Sequence, residues 1–127
     1  MGITLIKLSV VYFVVGIVMG LYMAISQDHS TAPAHAHVNL LGWVSLALCG
    51  LLYELYPDLK RHWLATAHSW LHVTALPIFM TALFFYERGN TELVPVVAIG
   101  ANLTGVGILL FAINVITRLR ARPTGSA

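Results

Sequence analysis

Charged residues are scarce in this chain of 127 residues: they make up only 9% of it, whereas hydrophobic residues make up 58%. A soluble domain carries about 25% charged residues, so the composition excludes an ordinary soluble protein. The formal net charge is only +2, and basic residues cluster at the C-terminus as Arg118, Arg120 and Arg122. Such a cluster indicates contact with lipid headgroups and gives no support to nucleic-acid binding. We therefore expect an integral membrane protein in contact with the lipid bilayer.

Cysteine is almost absent as well. Cys49 is the only one, so an intramolecular disulfide is excluded, and we expect this side chain to pack as a small apolar group. Four apolar runs, each near the roughly 20 residues that cross a bilayer core, take up most of the chain. We predict an all-α integral membrane protein with one domain over residues 1–127 and a tail at 118–127. Its four predicted transmembrane helices are Thr4–Ser26, His35–Tyr56, Trp63–Tyr86 and Leu93–Thr117.

The basic residues alternate between the two ends of the predicted spans. Lys7 lies near the start, Lys60 and Arg61 lie between the second and third spans, and the loop 27–34 has no lysine or arginine. The positive-inside rule then places both termini in the cytoplasm of a multi-pass protein of the inner (plasma) membrane. The second span would accordingly begin at the outer surface.

Histidine, in contrast, is plentiful, with six residues. Neutral imidazole is a common ligand of transition metals and of haem iron, and polar groups at membrane depth are costly and often functional. His35 and His37 open the second span, and Asn39 lies one turn beyond His35. Residues two apart on a helix are separated by about 200°. We therefore expect the two imidazoles to point to opposite faces and to serve different clefts.

A second pair, His68 and His72, lies within the third span. Four residues apart, the two side chains share one helix face. They could hold one metal ion, or one could hydrogen-bond to a carbonyl of the bundle, and the sequence leaves both open. A turn centred near residue 60 would put His37 opposite Leu83 and His72 about 16 Å deeper. On that register the two pairs cannot share a ligand within one chain, and symmetric association could complete an outer site, because copies of the same helix present their histidines at equal depth.

Other residues carry expectations about packing. Tyr53 is expected at the inner membrane interface, where tyrosine is enriched. Gly16 and Gly20 form a small-xxx-small pattern that permits close helix contact, most simply within the chain. Asn102 and Asn114 on the fourth span are expected to hydrogen-bond across to neighbouring helices.

Residues 35–43 (HAHVNLLGW) and 50–57 (GLLYELYP) together carry a family resemblance. They resemble the His-x-Asn-Leu-Leu segment and the Tyr-x-x-x-Pro end of the second helix in the catalytic subunit of nitric-oxide reductases, in the haem–copper oxidase superfamily. The start of this helix is also similar to the His-Ala-His stretch of NnrS-type haem- and copper-containing membrane proteins. The catalytic subunit of the superfamily has twelve helices in three four-helix arcs. The resemblance therefore implies that this chain is one such arc and that it assembles as a homotrimer.

By the same resemblance, His37, or His35, is an axial ligand of a b-type haem, and Asn39 belongs to the same cofactor-binding segment. In a trimer, His35 of one protomer would face His37 of the next. His68 and His72 would match the helix that supplies copper ligands in the superfamily. The resemblance thus implies haem b, with copper as a second cofactor.

Three functions remain open. The leading hypothesis is a b-type haem protein that transfers electrons with a redox partner or binds a diatomic gas such as O₂ or NO. If it is an enzyme, it is an oxidoreductase related to the haem–copper oxidases, and its catalytic residues are unknown. The alternative is a copper- or zinc-binding protein that uses His29, His35 and His37 outside and His68 and His72 inside. The third is a structural or assembly subunit whose histidines satisfy local hydrogen bonds.

Overall fold

The computed structural model describes residues 1–119 and is helical throughout except for short turns. It contains four helical spans long and apolar enough to cross a membrane, so the prediction of four transmembrane helices is confirmed at this level. Most of the predicted tail at 118–127, with Arg120 and Arg122, lies outside the described residues. The spans are α1 (Gly2–Ser26), a composite second span (Ala32–Leu55), α5 (Trp63–Glu87), and a final span of one 3₁₀ turn (Thr91–Leu93) and α6 (Val94–Arg118).

The second span changes its helix type along its length. It consists of α2 (Ala32–His37), a π-helix (Val38–Ser45) and α3 (Leu46–Leu55), and α4 (Pro57–Arg61) then forms the turn into α5.

Two polar side chains explain where the helix widens. The Asn39 amide donates to the His35 carbonyl at 2.9 Å, and the Ser45 hydroxyl donates to the Leu40 carbonyl at 2.8 Å. Each side chain competes with the backbone for a carbonyl of its own helix. π-Helical turns are rare and occur often at functional sites, and this one begins directly after His37.

The four spans differ in how much of their surface the chain itself covers. In the most apolar window, 33% of the second span and 39% of α5 are buried, against 17% for α1 and for the final span. α1 packs along the second span, and α5 packs along α6. The second span and α5 are therefore the inner pair, and α1 and α6 flank them with broad apolar faces suited to lipid.

Small residues let the helices approach closely. A Cβ added at Gly100 of α6 would lie 2.8 Å from the Cβ of Phe79 on α5, too close for a real contact. On α1, a Cβ at Gly16 would lie 2.5 Å from Oδ1 of Asn39. The glycine pattern on α1 is thus used for packing within the chain.

Three expectations about single residues have different outcomes. The interfacial position of Tyr53 is wrong: its side chain is fully buried, because its hydroxyl has a partner inside the bundle. Asn114 does bond across helices, since its amide donates to the Leu59 carbonyl at 3.0 Å. Asn102 does not, because it is exposed and donates to the Ala98 carbonyl of its own helix at 2.8 Å.

Candidate functional site

His35 and His37 lie on opposite sides of α2, as their spacing predicts. The ring of His35 faces α1, with its Cε1 3.2 Å from the position that a Cβ on Gly20 would occupy. The ring of His37 faces α5 and meets Phe79 edge to face, with the centroids 5.6 Å apart. Both residues are only partly buried. Each imidazole therefore serves a different helix interface.

The Pro33 carbonyl selects the tautomer of the His37 ring. Its Nδ1 lies 2.8 Å from the carbonyl oxygen of Pro33, one turn back on the same helix. A carbonyl only accepts hydrogen bonds, so Nδ1 carries a proton, and in the neutral ring Nε2 carries the lone pair. No hydrogen-bond partner of Nε2 occurs in the described part of the chain. Metal-binding histidines are typically oriented in this way, by a hydrogen bond from the other ring nitrogen to a carbonyl or carboxylate.

A carboxylate lies at the end of the bundle where α2 begins. Glu87, the last residue of α5, accepts from the Ala34 N–H at 3.2 Å and is close enough to His37 for an electrostatic interaction. This bond ties the first turn of α2 to α5. It thereby sets the position of the Pro33–His37 turn relative to α5.

The loop before α2 is ordered by its own polar groups. Asp28 accepts from the Ser30 N–H at 2.9 Å, and this bond, with the nearby Arg88, holds the pKa of Asp28 below its usual value of 3.8. Arg88 approaches Asp28 at 3.9 Å and donates to the Tyr22 hydroxyl at 3.5 Å. The loop is thus tied to the ends of both α1 and α5.

Asn39, one turn further along the second span, contacts His35. Besides its bond to the His35 carbonyl, its amide nitrogen lies 3.4 and 3.5 Å from the two ring nitrogens of His35. These distances are too long for strong hydrogen bonds. Asn39 thus helps to hold the His35 ring against α1. Neither ring nitrogen of His35 is occupied by a short hydrogen bond from Asn39.

Deeper in the bundle, polar side chains form one continuous hydrogen-bonded chain. The Tyr53 hydroxyl lies 2.8 Å from Nδ1 of His68, Nε2 of His68 lies 3.1 Å from Nδ1 of His72, and Nε2 of His72 lies 3.1 Å from the Leu41 carbonyl oxygen. Tyr53, His68 and His72 each have 0% exposure. The chain joins α3 and α5 to the π-helix through the centre of the molecule.

The carbonyl at one end determines the direction of every bond in this chain. Leu41 can only accept, so Nε2 of His72 donates and its Nδ1 must accept. Nε2 of His68 therefore donates, its Nδ1 accepts, and the Tyr53 hydroxyl is the first donor. Every ring nitrogen of the pair has a protein partner, and a metal ion could bind only by displacing one of them. Within residues 1–119 no group of three or more His, Cys, Asp or Glu side chains could hold a metal ion.

The predicted depth of the two histidine pairs is wrong. His37 meets Phe79, not Leu83, and His72 bonds to Leu41, one turn beyond His37. Counting along α5 from Phe79 to His72 gives about 10 Å at the helical rise, where the sequence predicted about 16 Å. The register agrees with the prediction near the turn, where Tyr53 meets His68, and drifts further along because the π-helix packs more residues into a given length. The pairs still occupy separate levels.

Tyr53 is the residue that the sequence interpretation missed, although the signal was present. Reflecting position 53 through a turn centred near residue 60 gives position 67, next to His68. The residue type of Tyr53 and its place near the turn favour an interfacial position, whereas the register of the two spans favours a contact with His68.

Comparison of the chain with protein-family models, with curated proteins and with solved structures gave no match. The roles of His37, Asn39 and the buried chain therefore have to be argued from their geometry.

Proposed function

We propose that this chain is a membrane b-type haem protein that transfers electrons or binds a diatomic gas, with Nε2 of His37 as an axial ligand. The observation that carries the proposal is the 2.8 Å bond from Nδ1 of His37 to the Pro33 carbonyl. In the tautomer that this bond selects, Nε2 is the nitrogen with the lone pair, which is the donor that haem iron takes from a neutral histidine. A bound haem would supply one-electron redox chemistry or an open coordination position for a gas.

The surroundings of His37 suit a haem. The ring packs against Phe79, which gives the site an apolar wall, and its orientation is set within α2, so the imidazole needs no rearrangement to bind. The resemblance of residues 35–43 to the haem-ligating helix of the haem–copper oxidase superfamily supports the same assignment.

A second histidine ligand would have to come from another copy of the chain. The two imidazoles of one chain face α1 and α5 respectively, so they cannot be the two axial ligands of one iron. Copies of the same helix in a symmetric assembly present their histidines at equal depth. We propose a homotrimer of four-helix arcs in which His35 of one protomer is the second axial ligand opposite His37 of the next. Ligation by two histidines favours electron transfer, because both axial positions are then filled.

Optical spectroscopy tests this function directly. Protein expressed with a haem precursor should show a Soret band in the oxidised and the dithionite-reduced states. His37→Ala should abolish or reshape the band, whereas His68→Ala should change it little, because both ring nitrogens of His68 are bonded within the bundle. Absence of the band from the unmodified protein would overturn the proposal, and stoichiometric copper or zinc in that preparation would favour metal handling. Spectra of His37→Ala and His35→Ala that are both unchanged from the unmodified protein would overturn the ligand assignment.

A further inference from the structure

A polar pocket lies at the end of the bundle where α4 meets the last turn of α6. Its volume is about 430 Å³, and it is lined by Asp58, Arg61, Thr117 and Arg118. Other surface pockets of the described chain, such as those between α1 and α5, are lined mainly by apolar side chains. The pocket therefore stands out by its chemistry on an otherwise apolar surface.

Buried contacts beneath the pocket fix its geometry. The Asn114 amide donates to the Leu59 carbonyl at 3.0 Å, and both residues have 0% exposure. Leu59 lies between Asp58 and Arg61 on α4, and Asn114 lies one turn before Arg118 on α6. This hydrogen bond joins α4 to the end of α6. It thereby keeps the two arginines, which come from these different helices, on the lining of one pocket.

Both arginines are available to bind an anion. Among residues 1–119, neither Arg61 nor Arg118 forms an ion pair, whereas the neighbouring Lys60 is paired with Glu54 at 2.9 Å. The Thr117 hydroxyl donates to the Ile113 carbonyl at 2.6 Å, so its proton is already used. With Asp58 counted, the pocket carries a net charge of +1, and the two guanidinium groups supply its hydrogen-bond donors.

The position of the pocket decides the class of ligand. It lies where two apolar spans end, and Trp63, which begins α5 at this end, is 64% exposed, as expected of an aromatic side chain in the headgroup region. Guanidinium groups bind phosphate through paired hydrogen bonds, and basic pockets between transmembrane helices bind lipid headgroups. We propose that this pocket binds the phosphate of an anionic phospholipid. The proposal does not depend on haem.

Native mass spectrometry of the detergent-solubilised protein tests this site, with phosphatidylglycerol as the probe and phosphatidylcholine as the neutral comparison. The unmodified protein should retain phosphatidylglycerol preferentially. Arg61→Gln and Arg118→Gln should each weaken its binding about tenfold, since each removes charge-assisted hydrogen bonds to the phosphate. Asp58→Asn should strengthen binding, because it removes the only negative charge in the pocket. Lys7→Gln, which removes a cation outside the pocket, is the matched control and should leave binding unchanged.

Several results would overturn the proposal. Equal retention of the two lipids by the unmodified protein would do so, as would a loss in Lys7→Gln as large as that in Arg61→Gln. Displacement of phosphatidylglycerol by inorganic phosphate at equal concentration would show that the pocket takes a free anion and not a lipid. Helical content measured by circular dichroism confirms that each variant is folded. If Arg118→Gln does not fold, Arg61→Gln and Asp58→Asn still give effects of opposite sign that decide the question.

Discussion

Replacing Tyr53 with phenylalanine removes one atom from the buried hydrogen-bonded chain and leaves its packing in place. The ring contacts of Tyr53 with His68 and with Phe111, at 5.7 and 5.8 Å between centroids, do not involve the hydroxyl. The lost group is the proton donor to Nδ1 of His68. Tyr53→Phe therefore leaves Nδ1 of His68, a fully buried acceptor, without a partner, and it also removes the hydroxyl oxygen that interacts with the buried Asn114 side chain.

The loss in free energy of unfolding depends on whether the rest of the hydrogen-bonded chain can rearrange. An unpaired buried acceptor costs about 1–3 kcal/mol in soluble proteins, whereas hydrogen bonds in membrane bundles average about 0.6 kcal/mol with a maximum near 1.7 kcal/mol. His68 cannot switch tautomer to relieve the loss, because the Leu41 carbonyl forces His72 to accept from Nε2 of His68. We therefore expect a value in the upper part of the membrane range, about 1–1.7 kcal/mol.

The measurement is the free energy of unfolding in mixed micelles, followed by circular dichroism as denaturing detergent is added. Tyr12→Phe is the matched control. Tyr12 is half-buried between helices, and its hydroxyl donates no hydrogen bond to a described residue, so the substitution should leave the free energy of unfolding nearly unchanged. Nitrogen-15 NMR of the unmodified protein should show both His68 and His72 protonated at Nε2 only.

Two results would refute the reasoning. A loss below about 0.5 kcal/mol, less than an average membrane hydrogen bond, would mean that the hydroxyl is not a donor to His68. Protonation of His72 at Nδ1 would mean that the chain does not end on the Leu41 carbonyl.

Two further predictions concern packing and pH. Gly100→Ala should destabilise the α5–α6 contact by about 1–3 kcal/mol, because the new methyl group meets the Phe79 backbone and Cβ, whereas Gly105→Ala, with nothing within 4 Å of the added Cβ, should not. Unfolding in mixed micelles measures both, and equal effects would contradict the observed helix spacing. His62 accepts from the Leu64 N–H at the start of α5, and burial and Arg118 lower its pKa below 6.5. Its contribution to stability should be complete above pH 6.5, the unfolded-state pKa, and be lost as the pH falls through the lower folded pKa. The melting temperature of His62→Asn should lack this pH dependence.

Much of the candidate site could be read from residue type and spacing. The opposed directions of His35 and His37 follow from helical periodicity alone, and the shared face of His68 and His72 follows in the same way. The π-helix was not predictable, because it arises when the Asn39 side chain takes a carbonyl that the backbone would otherwise use. The level of His72 was also missed, since the π-helix shortens the rise per residue of the second span and so shifts its register against α5.

Span length and helical periodicity are local properties of the chain, so the four apolar helices and the helix faces on which the histidines stand follow from the sequence. What those histidines meet across the bundle depends on how the helices pack. His37 meets Phe79 of α5, whereas His68 and His72 are fully bonded because Tyr53 and Leu41 lie opposite them. Hydrogen-bond partners far apart in the chain depend on register and depth, and a one-dimensional pattern does not contain them.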